Sequence, residues 1–448
     1  MYGAVRGLKA KLDRVCPGLQ RGPIFGNISW LGLEQMLRLG GSFLFYVILA
    51  RYLGPEEYGT FNYSMALVAI FAPIAAMGIE GVIVKSFIES PGARSELVAA
   101  GLLIRFCGGQ VAYLLTVLSV LLLRPGDALA RELVIVLGFI HLLRAADVVK
   151  CWFESEVDSR AVVLIQSAVF LSFLVLKLCM VSLGLPLLAF VYAMLGEFFF
   201  CALGLLLLYQ VKVDSLWSLR LKLGRILQLL RQSWPLLLSG LAIILYMRMD
   251  KIMLGQILGD RAVGIYSAGS SLSEVWSFVP MIIAASVFPS IFKLRSDRVL
   301  YKRRFQQLFD LSLVLSVPVA VLMGLSSALL IQLLYGESYA GASLVLSIHI
   351  WGYVFIFLGV IGGRWYIAEN LEKIIFYRTL AGALLNLVLN LLLIPNYGPA
   401  GAAFATLLSQ AFASFLFNAL SSRTRELFRM QCSALTLGGW RRRLFGNG

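Results

Sequence analysis

Residues 53–61 read Leu53-Gly54-Pro55-Glu56-Glu57-Tyr58-Gly59-Thr60-Phe61, a short glycine-bearing turn between apolar runs near 28–50 and 59–88. A bilayer crossing takes roughly 20 mainly apolar residues, and each run is long enough for one. The arrangement returns at Leu258-Gly259-Asp260-Arg261-Ala262-Val263-Gly264-Ile265-Tyr266, between runs near 234–257 and 262–292. Both copies read Leu-Gly, four residues, Gly, one residue, aromatic. Each makes a tight turn into a long helix with a central proline, Pro73 in one and Pro280 in the other. A fainter echo links GLPLLAFVYA at 184–193 with GPAGAAFA at 398–405.

Worked outward from these turns, the chain offers about 12 candidate spans. They lie near 28–50, 59–88, 98–123, 132–153, 161–183, 187–209, 234–257, 262–292, 305–327, 343–368, 372–394 and 400–421. The apolar residues Ala328 to Tyr335 either extend the ninth span or form a short segment of their own. Six spans per copy is an even number, so both copies share one orientation, with a pseudo-twofold axis along the membrane normal. The expected fold is therefore an all-α integral membrane protein with two six-helix bundles, residues 1–212 and 213–448. Leu216, Leu219, Leu223, Ile226 and Leu230 recur at helical spacing, with Arg220, Lys222, Arg225 and Arg231 mostly off that stripe. This pattern predicts an amphipathic linker helix over 216–232, lying on the cytoplasmic surface ahead of the second bundle.

Composition agrees. Of the residues, 59% are hydrophobic and 14% charged, and the mean hydropathy is +0.84. A soluble domain has about 45–50% apolar and about 25% charged residues. The net charge of +15 would suggest nucleic acid if it formed a patch on a soluble face. Here the cations sit between apolar blocks, as topology signals and contacts for anionic lipids. With the N-terminus cytoplasmic, the outer loops hold only Arg51, Arg124, Arg131 and Arg261 as basic residues, and both termini fall inside. The inside segments begin with Arg6, Lys9, Lys11, Arg14 and Arg21 and end with Arg441, Arg442 and Arg443. The first 27 residues are polar and basic with no apolar core, so no cleaved signal peptide is expected. The six cysteines form no C-x-x-C pair and suggest neither a disulfide framework nor a zinc site.

No phosphate-binding G-x-x-x-x-G-K-[ST] loop, nucleophile motif or paired metal-ligand motif occurs, so neither enzymatic activity nor a cofactor or metal is expected. The informative residues are charges within spans, which are costly in lipid and normally face a cavity or a partner. Arg38 lies near mid-membrane, either facing a cavity or paired with Glu34 four residues earlier. His141, Arg144 and Asp147 recur every three residues on one helix face, as a site or as a self-satisfied Arg–Asp pair. Arg248 and Lys251 share a face of span seven, with Asp250 pointing elsewhere. Glu197 and Glu274 are either ion-coupling carboxylates or structural partners of the cations. Arg105 and Lys177 lie nearer span edges and are expected to snorkel. A cavity lined by Arg38, Arg144, Arg248 and Lys251 suits an anionic ligand, because guanidinium offers phosphate a planar, permanently charged fork.

Three stretches carry a family resemblance. ARYLGPEEYG at 50–59, YMRMDKIMLGQILGDRAVGIYSAGSSL at 246–272 and NLVLNLLLIPNYGPAGAAFAT at 386–406 resemble Wzx-type polysaccharide flippases. The similarity runs over roughly residues 25 to 420 and is most specific in the second stretch. It implies the multidrug/oligosaccharidyl-lipid/polysaccharide exporter superfamily, with two six-helix bundles in a V. It implies a multi-pass protein of the bacterial inner membrane that moves an undecaprenyl-pyrophosphate-linked oligosaccharide to the periplasmic leaflet by alternating access, for O-antigen or related surface polysaccharide. It also implies ion antiport, and a polymerase and a chain-length regulator as partners. The matched positions are Arg51, Arg248 and Asp250, with Arg51 as a gate or a structural residue at an outer turn. Pro73 and Pro280 are the expected hinges. The rival readings are a multidrug exporter of the same superfamily, a membrane-embedded polysaccharide polymerase and a non-transporting scaffold; the short outer loops argue against the polymerase.

Overall fold

A computed structural model describes residues 23–436. The terminal cations Arg6, Lys9, Lys11, Arg14, Arg21, Arg441, Arg442 and Arg443 lie outside the described residues. Within these, the chain is helix almost throughout and no strand occurs, as expected where lipid leaves each segment to satisfy its own backbone hydrogen bonds. Eight helical stretches among the described residues are long and apolar enough to cross a membrane.

Two of the eight are too long for one crossing. Gly32–Glu89 has 58 residues and Lys373–Ala419 has 47, whereas the hydrocarbon core is about 30 Å thick and a helix rises about 1.5 Å per residue. Each is interrupted at a glycine with positive φ: Gly54 at 74° and Gly398 at 58°. A proline follows each one, pre-set to start the next helix. The chain folds back at both places. The rings of Tyr46 and Phe61 lie 6.1 Å apart, although 15 residues of straight helix would separate them by about 22 Å. A Cβ on Gly401 would come within 2.4 Å of the Leu393 carbonyl oxygen, so only glycine lets the second hairpin close.

Several elements differ from the sequence reading. The expected fourth span is segmented into Ala128–Gly138, Ile140–Leu143, a 3-10 turn at Arg144–Ala146, and Asp147–Ser155. Ser327–Tyr335 is a separate short helix after a break at Ser326. The amphipathic linker helix over 216–232 is corrected. Leu216–Ser218 is one 3-10 turn, and the α-helix starts only at Leu223 and runs to Ile257. The reason is local competition for backbone groups. Ser215 Oγ accepts from the Trp217 N–H (3.2 Å), and Ser95 Oγ donates to the Ser218 carbonyl and accepts from the Arg220 N–H, each at 3.1 Å. Lys222 and Arg225 then pair with Glu96.

The described residues form two compact units. The first comprises residues up to Phe45, Phe71–Leu118 and Ile135–Leu238; the second comprises Tyr46–Ile70, Ser119–Val134 and everything from Ser239. The core of the first is Ile79, Ile83, Leu97, Val98, Val148 and Val149, with Leu205 and Tyr209 closing it. The second is built around Ala342–Ala368. Its apolar window is 61% buried, against 39% or less for the other candidate spans, and it packs on Glu372–Ser414, Arg298–Leu325 and Asp260–Glu274. Leucines such as Leu122, Leu207, Leu322 and Leu391 are exposed, the surface that lipid covers.

Inside the second unit the two repeat turns meet. A Cβ on Gly59 would lie 1.8 Å from the Asp260 carbonyl oxygen, and one on Gly264 would lie 1.9 Å from that of Pro55. Position 55 corresponds to 260 in the repeat and 59 to 264, so the contact is reciprocal, as a twofold relation requires. The turn after Leu123 joins them. Arg124 Nη2 donates to the Gly255 carbonyl and to Asp260 Oδ1, both at 2.7 Å, and its guanidinium lies 4.2 Å over the Tyr63 ring. Thr60 Oγ1 donates to the other carboxylate oxygen of Asp260 at 2.7 Å.

Candidate functional site

A cavity of about 240 Å³ opens within the first unit. Its charged lining is Arg38, Arg144 and Lys150 together with Glu80, Asp147, Glu154 and Glu197. The helix 23–53 brings Arg38, the segmented stretch 140–155 brings Arg144, Asp147, Lys150 and Glu154, and Leu187–Lys212 brings Glu197. The 3-10 turn at 144–146 tightens the backbone so that Arg144 and Asp147 share the cavity wall. His141 leaves that set: it is buried, with its Nε2 3.4 Å from Thr116 Oγ1.

Carboxylates line the cavity beside the cations: Asp147 and Glu197 are among the charges marked in the sequence, and Glu80 and Glu154 join them. Glu197 bridges two cations, with Oε2 2.5 Å from Lys177 Nζ and Oε1 3.7 Å from Arg38. Glu34 is 3.7 Å from Arg38, so both sequence alternatives for that arginine coexist. Arg144 Nε donates to Asp147 at 3.3 Å, and Lys150 is 3.8 Å from Glu154. Arg38 and Arg144 stay partly open, with side chains 34% and 41% exposed.

Two residues were misread from sequence. Arg105 does not snorkel; its side chain is 1% exposed, 3.0 Å from Glu80 and 3.7 Å from Asp147. Its Nε and Nη1 have no hydrogen-bond partner, so it stands behind the cavity wall as a charge with donors to spare. Lys177 likewise turns inward to Glu197. Position along a span indicates depth, and both residues are close to an edge. The partner that drew each inward lies on another helix, where linear spacing carries no signal.

The remaining predicted charged residues belong to the second unit and do not join this cavity. Asp250 is buried; one oxygen accepts the Lys251 N–H at 2.7 Å and the other accepts the Tyr266 hydroxyl. Lys251 is buried and Arg248 half-buried, and no carboxylate lies within 4 Å of either cation among the described residues. Glu274 is half-buried beside Ser273, whose hydroxyl is 2.6 Å from His349 Nδ1. Arg51 is exposed, and the ionic contact near its turn is made by Arg124. Pro73 and Pro280 lie beside helix breaks: Met77 and Gly78 take positive φ four and five residues after Pro73, and a 3-10 turn at Val275–Ser277 precedes Pro280.

The model of a family described as "polysaccharide biosynthesis protein" matches residues 24–295, more than half of the chain. The chain belongs to the polysaccharide biosynthesis protein family. The lipid II flippase MurJ family model matches residues 277–440. Among curated relatives, the capsular polysaccharide biosynthesis protein CapF of Staphylococcus aureus is 20% identical over 86% of this chain and 96% of its own length. The probable low-salt glycan biosynthesis flippase Agl15 of Haloferax volcanii is 25% identical over 86% and 81%. The fold is that of two solved structures, each 16% identical. Lipid II flippase MurJ in an inward closed conformation has a TM-score of 0.65, covering 92% of this chain and 91% of that one. An inward-facing multidrug resistance MATE family transporter of the MOP superfamily has a TM-score of 0.70, covering 92% and 99%. The family's multi-pass membrane architecture and its kinship with the polysaccharide flippases thus agree with the resemblance seen in the sequence.

Proposed function

We propose that this chain is a transporter that flips undecaprenyl-pyrophosphate-linked oligosaccharide units from the cytoplasmic to the periplasmic leaflet of a bacterial inner membrane, for O-antigen or a related surface polysaccharide. The observation that carries this reading is the pair of partly exposed guanidiniums in the first unit's cavity. Arg38 meets its carboxylates only at 3.7 Å. A pyrophosphate has more charge and more acceptor oxygens than a carboxylate and engages a guanidinium fork bidentately. It therefore replaces Glu197 and Asp147 as the partner of Arg38 and Arg144. The polyprenyl tail stays in lipid while the headgroup occupies the cavity.

The displaced carboxylates supply a coupling device. A proton or a small cation taken up by Glu197 or Asp147 frees the arginines for substrate, and its loss restores the internal pairs and expels the headgroup. Glu274 serves the same end in the second unit, near Arg248 and Lys251. Alternating access bends the helices at the breaks beside Pro73 and Pro280, and the sequence repeats 1–212 and 213–448 act as the two moving halves. The Arg124–Asp260 cluster, with Arg51 on the adjoining turn, holds one end closed. A polymerase and a chain-length regulator receive the product. Agl15 is described as a probable flippase, and the two solved structures as a flippase and a transporter, which supports transport rather than catalysis.

One observation favours a second reading. Four carboxylates line the cavity beside three cations, a balance that also admits an organic cation, as a multidrug exporter requires. Deleting the gene and assaying inner-membrane vesicles of known sidedness separates the two. Lost surface polymer with complete lipid-linked units trapped on the cytoplasmic leaflet supports flipping. Normal polymer with new drug sensitivity supports export of cations. Arg38→Ala and Arg144→Ala variants that both transport normally at wild-type abundance would overturn the site assignment.

A further inference from the structure

We propose that one end of the second unit carries a headgroup site for an anionic phospholipid, with Arg425 and Arg429 as its phosphate contacts. The helix Arg425–Leu435 packs on Arg298–Leu325, with Leu427, Met430, Gln431 and Ala434 buried. Gln306 Nε2 fixes that seat by donating to the Met430 carbonyl at 3.1 Å. The docking leaves Arg425 and Arg429 exposed, and residues four apart share a helix face. They open onto a shallow cavity of about 510 Å³ whose other lining is Gln306, Ser422, Glu426 and Met430. Glu426, the one acid there, is engaged by Lys302. Among the described residues no carboxylate lies within 4 Å of Arg425 or Arg429, so neither arginine has an ion-pair partner of its own.

Depth identifies the ligand class. The apolar stretch Lys373–Ala419 ends just before this cavity, Leu420 is 70% exposed, and Ser422 already lines the cavity. An apolar contact for acyl chains therefore adjoins a two-arginine contact for phosphate, at the level where a bilayer places its headgroups. A soluble phosphate ester would use the arginines alone; a phospholipid uses both features.

The test uses the purified full chain in nanodiscs of phosphatidylcholine with or without phosphatidylglycerol, counting lipid retained on extraction by native mass spectrometry. The wild type is expected to retain phosphatidylglycerol preferentially. The double variant Arg425→Gln/Arg429→Gln should lose that preference by roughly 30-fold. Arg303→Gln/Arg304→Gln removes the same charge from exposed neighbours and should keep it. The proposal is overturned if the first variant retains phosphatidylglycerol as the wild type does, or if both variants lose it equally, which indicates general surface charge. It is also overturned if free glycerol phosphate binds as tightly as the lipid, which indicates a soluble-phosphate site. Arg38→Gln should leave the preference intact, keeping this site separate from transport.

Discussion

Apart from Arg124, which pairs with Asp260 at the turns of the second unit, the two units hold their buried and half-buried span cations in different ways. In the first, Arg38, Arg105, Arg144, Lys150 and Lys177 each have a carboxylate within 4 Å. In the second, Arg248, Lys251, Arg364 and Arg378 have none among the described residues. Arg378 instead donates to the Gly359 carbonyl at 3.2 Å and lies over the Tyr366 ring at 5.1 Å; Arg364 lies 5.7 Å from the Phe288 ring centre. Ion pairing leaves a unit near neutrality and lets a ligand exchange for one partner. Carbonyls and aromatic faces hold a cation without offering anything to exchange. A carboxylate that a ligand could replace thus stands beside each of these cations of the first unit, whereas Arg364 and Arg378 of the second are held by an aromatic face and a carbonyl.

The largest effect should come from breaking a buried pair. Lys177→Met leaves the Glu197 carboxylate with only its 3.7 Å contact to Arg38 and is expected to cost about 3 kcal/mol, read as a fall in thermal unfolding temperature. Adding Glu197→Leu should restore most of it, and failure of that rescue would show that the pair is not the cause. Next, Gly264→Val puts side-chain atoms into the Pro55 carbonyl and should destabilise the second unit by about 1–3 kcal/mol or more, whereas Gly126→Ala, with open space around it, should be near neutral. Arg378→Gln strands no carboxylate, so its loss should stay near 1–2 kcal/mol. A loss as large as that of Lys177→Met would erase the contrast between the units. Arg144→Ala, at a half-exposed pair, should change stability by less than about 1 kcal/mol yet slow transport at least about tenfold.

The smallest effect is a pH dependence. Glu369 lies between two spans and accepts from Arg298 at 2.7 and 3.1 Å. Burial opposes its charge, but the Arg298 hydrogen bonds outweigh this and hold its pKa below the ordinary 4.5. A lowered folded pKa gives stability that is present above the unfolded value and is lost as pH falls through the folded one. The unfolding-temperature gap between wild type and Glu369→Gln should therefore persist at pH 7 and close below about 4.5. A gap unchanged at pH 3 would contradict the shift.

Much of the fold was legible because its signals are local. Apolar length marks the spans, and the glycine motif marks the turns; Gly54 and Gly259 both take the positive φ that glycine favours. The linker helix was misjudged because the partner that unwinds 216–222, Ser95, is 123 residues from Ser218 in sequence. The site was legible only in part. Arg38, Arg144, Asp147 and Glu197 stand out as charges within spans. Glu154 falls just beyond its span end, where an acid attracts no notice, and Glu80, although inside the span near 59–88, shows its role only once packing brings it beside Arg105.

The most direct measurement is flipping of a pyrophosphate-linked oligosaccharide in proteoliposomes holding equal amounts of folded wild type, Arg38→Gln or Arg144→Gln. The account predicts transport by the wild type and at least about tenfold slower transport by each variant. Unchanged rates in both variants, or no transport by the wild type, would contradict it.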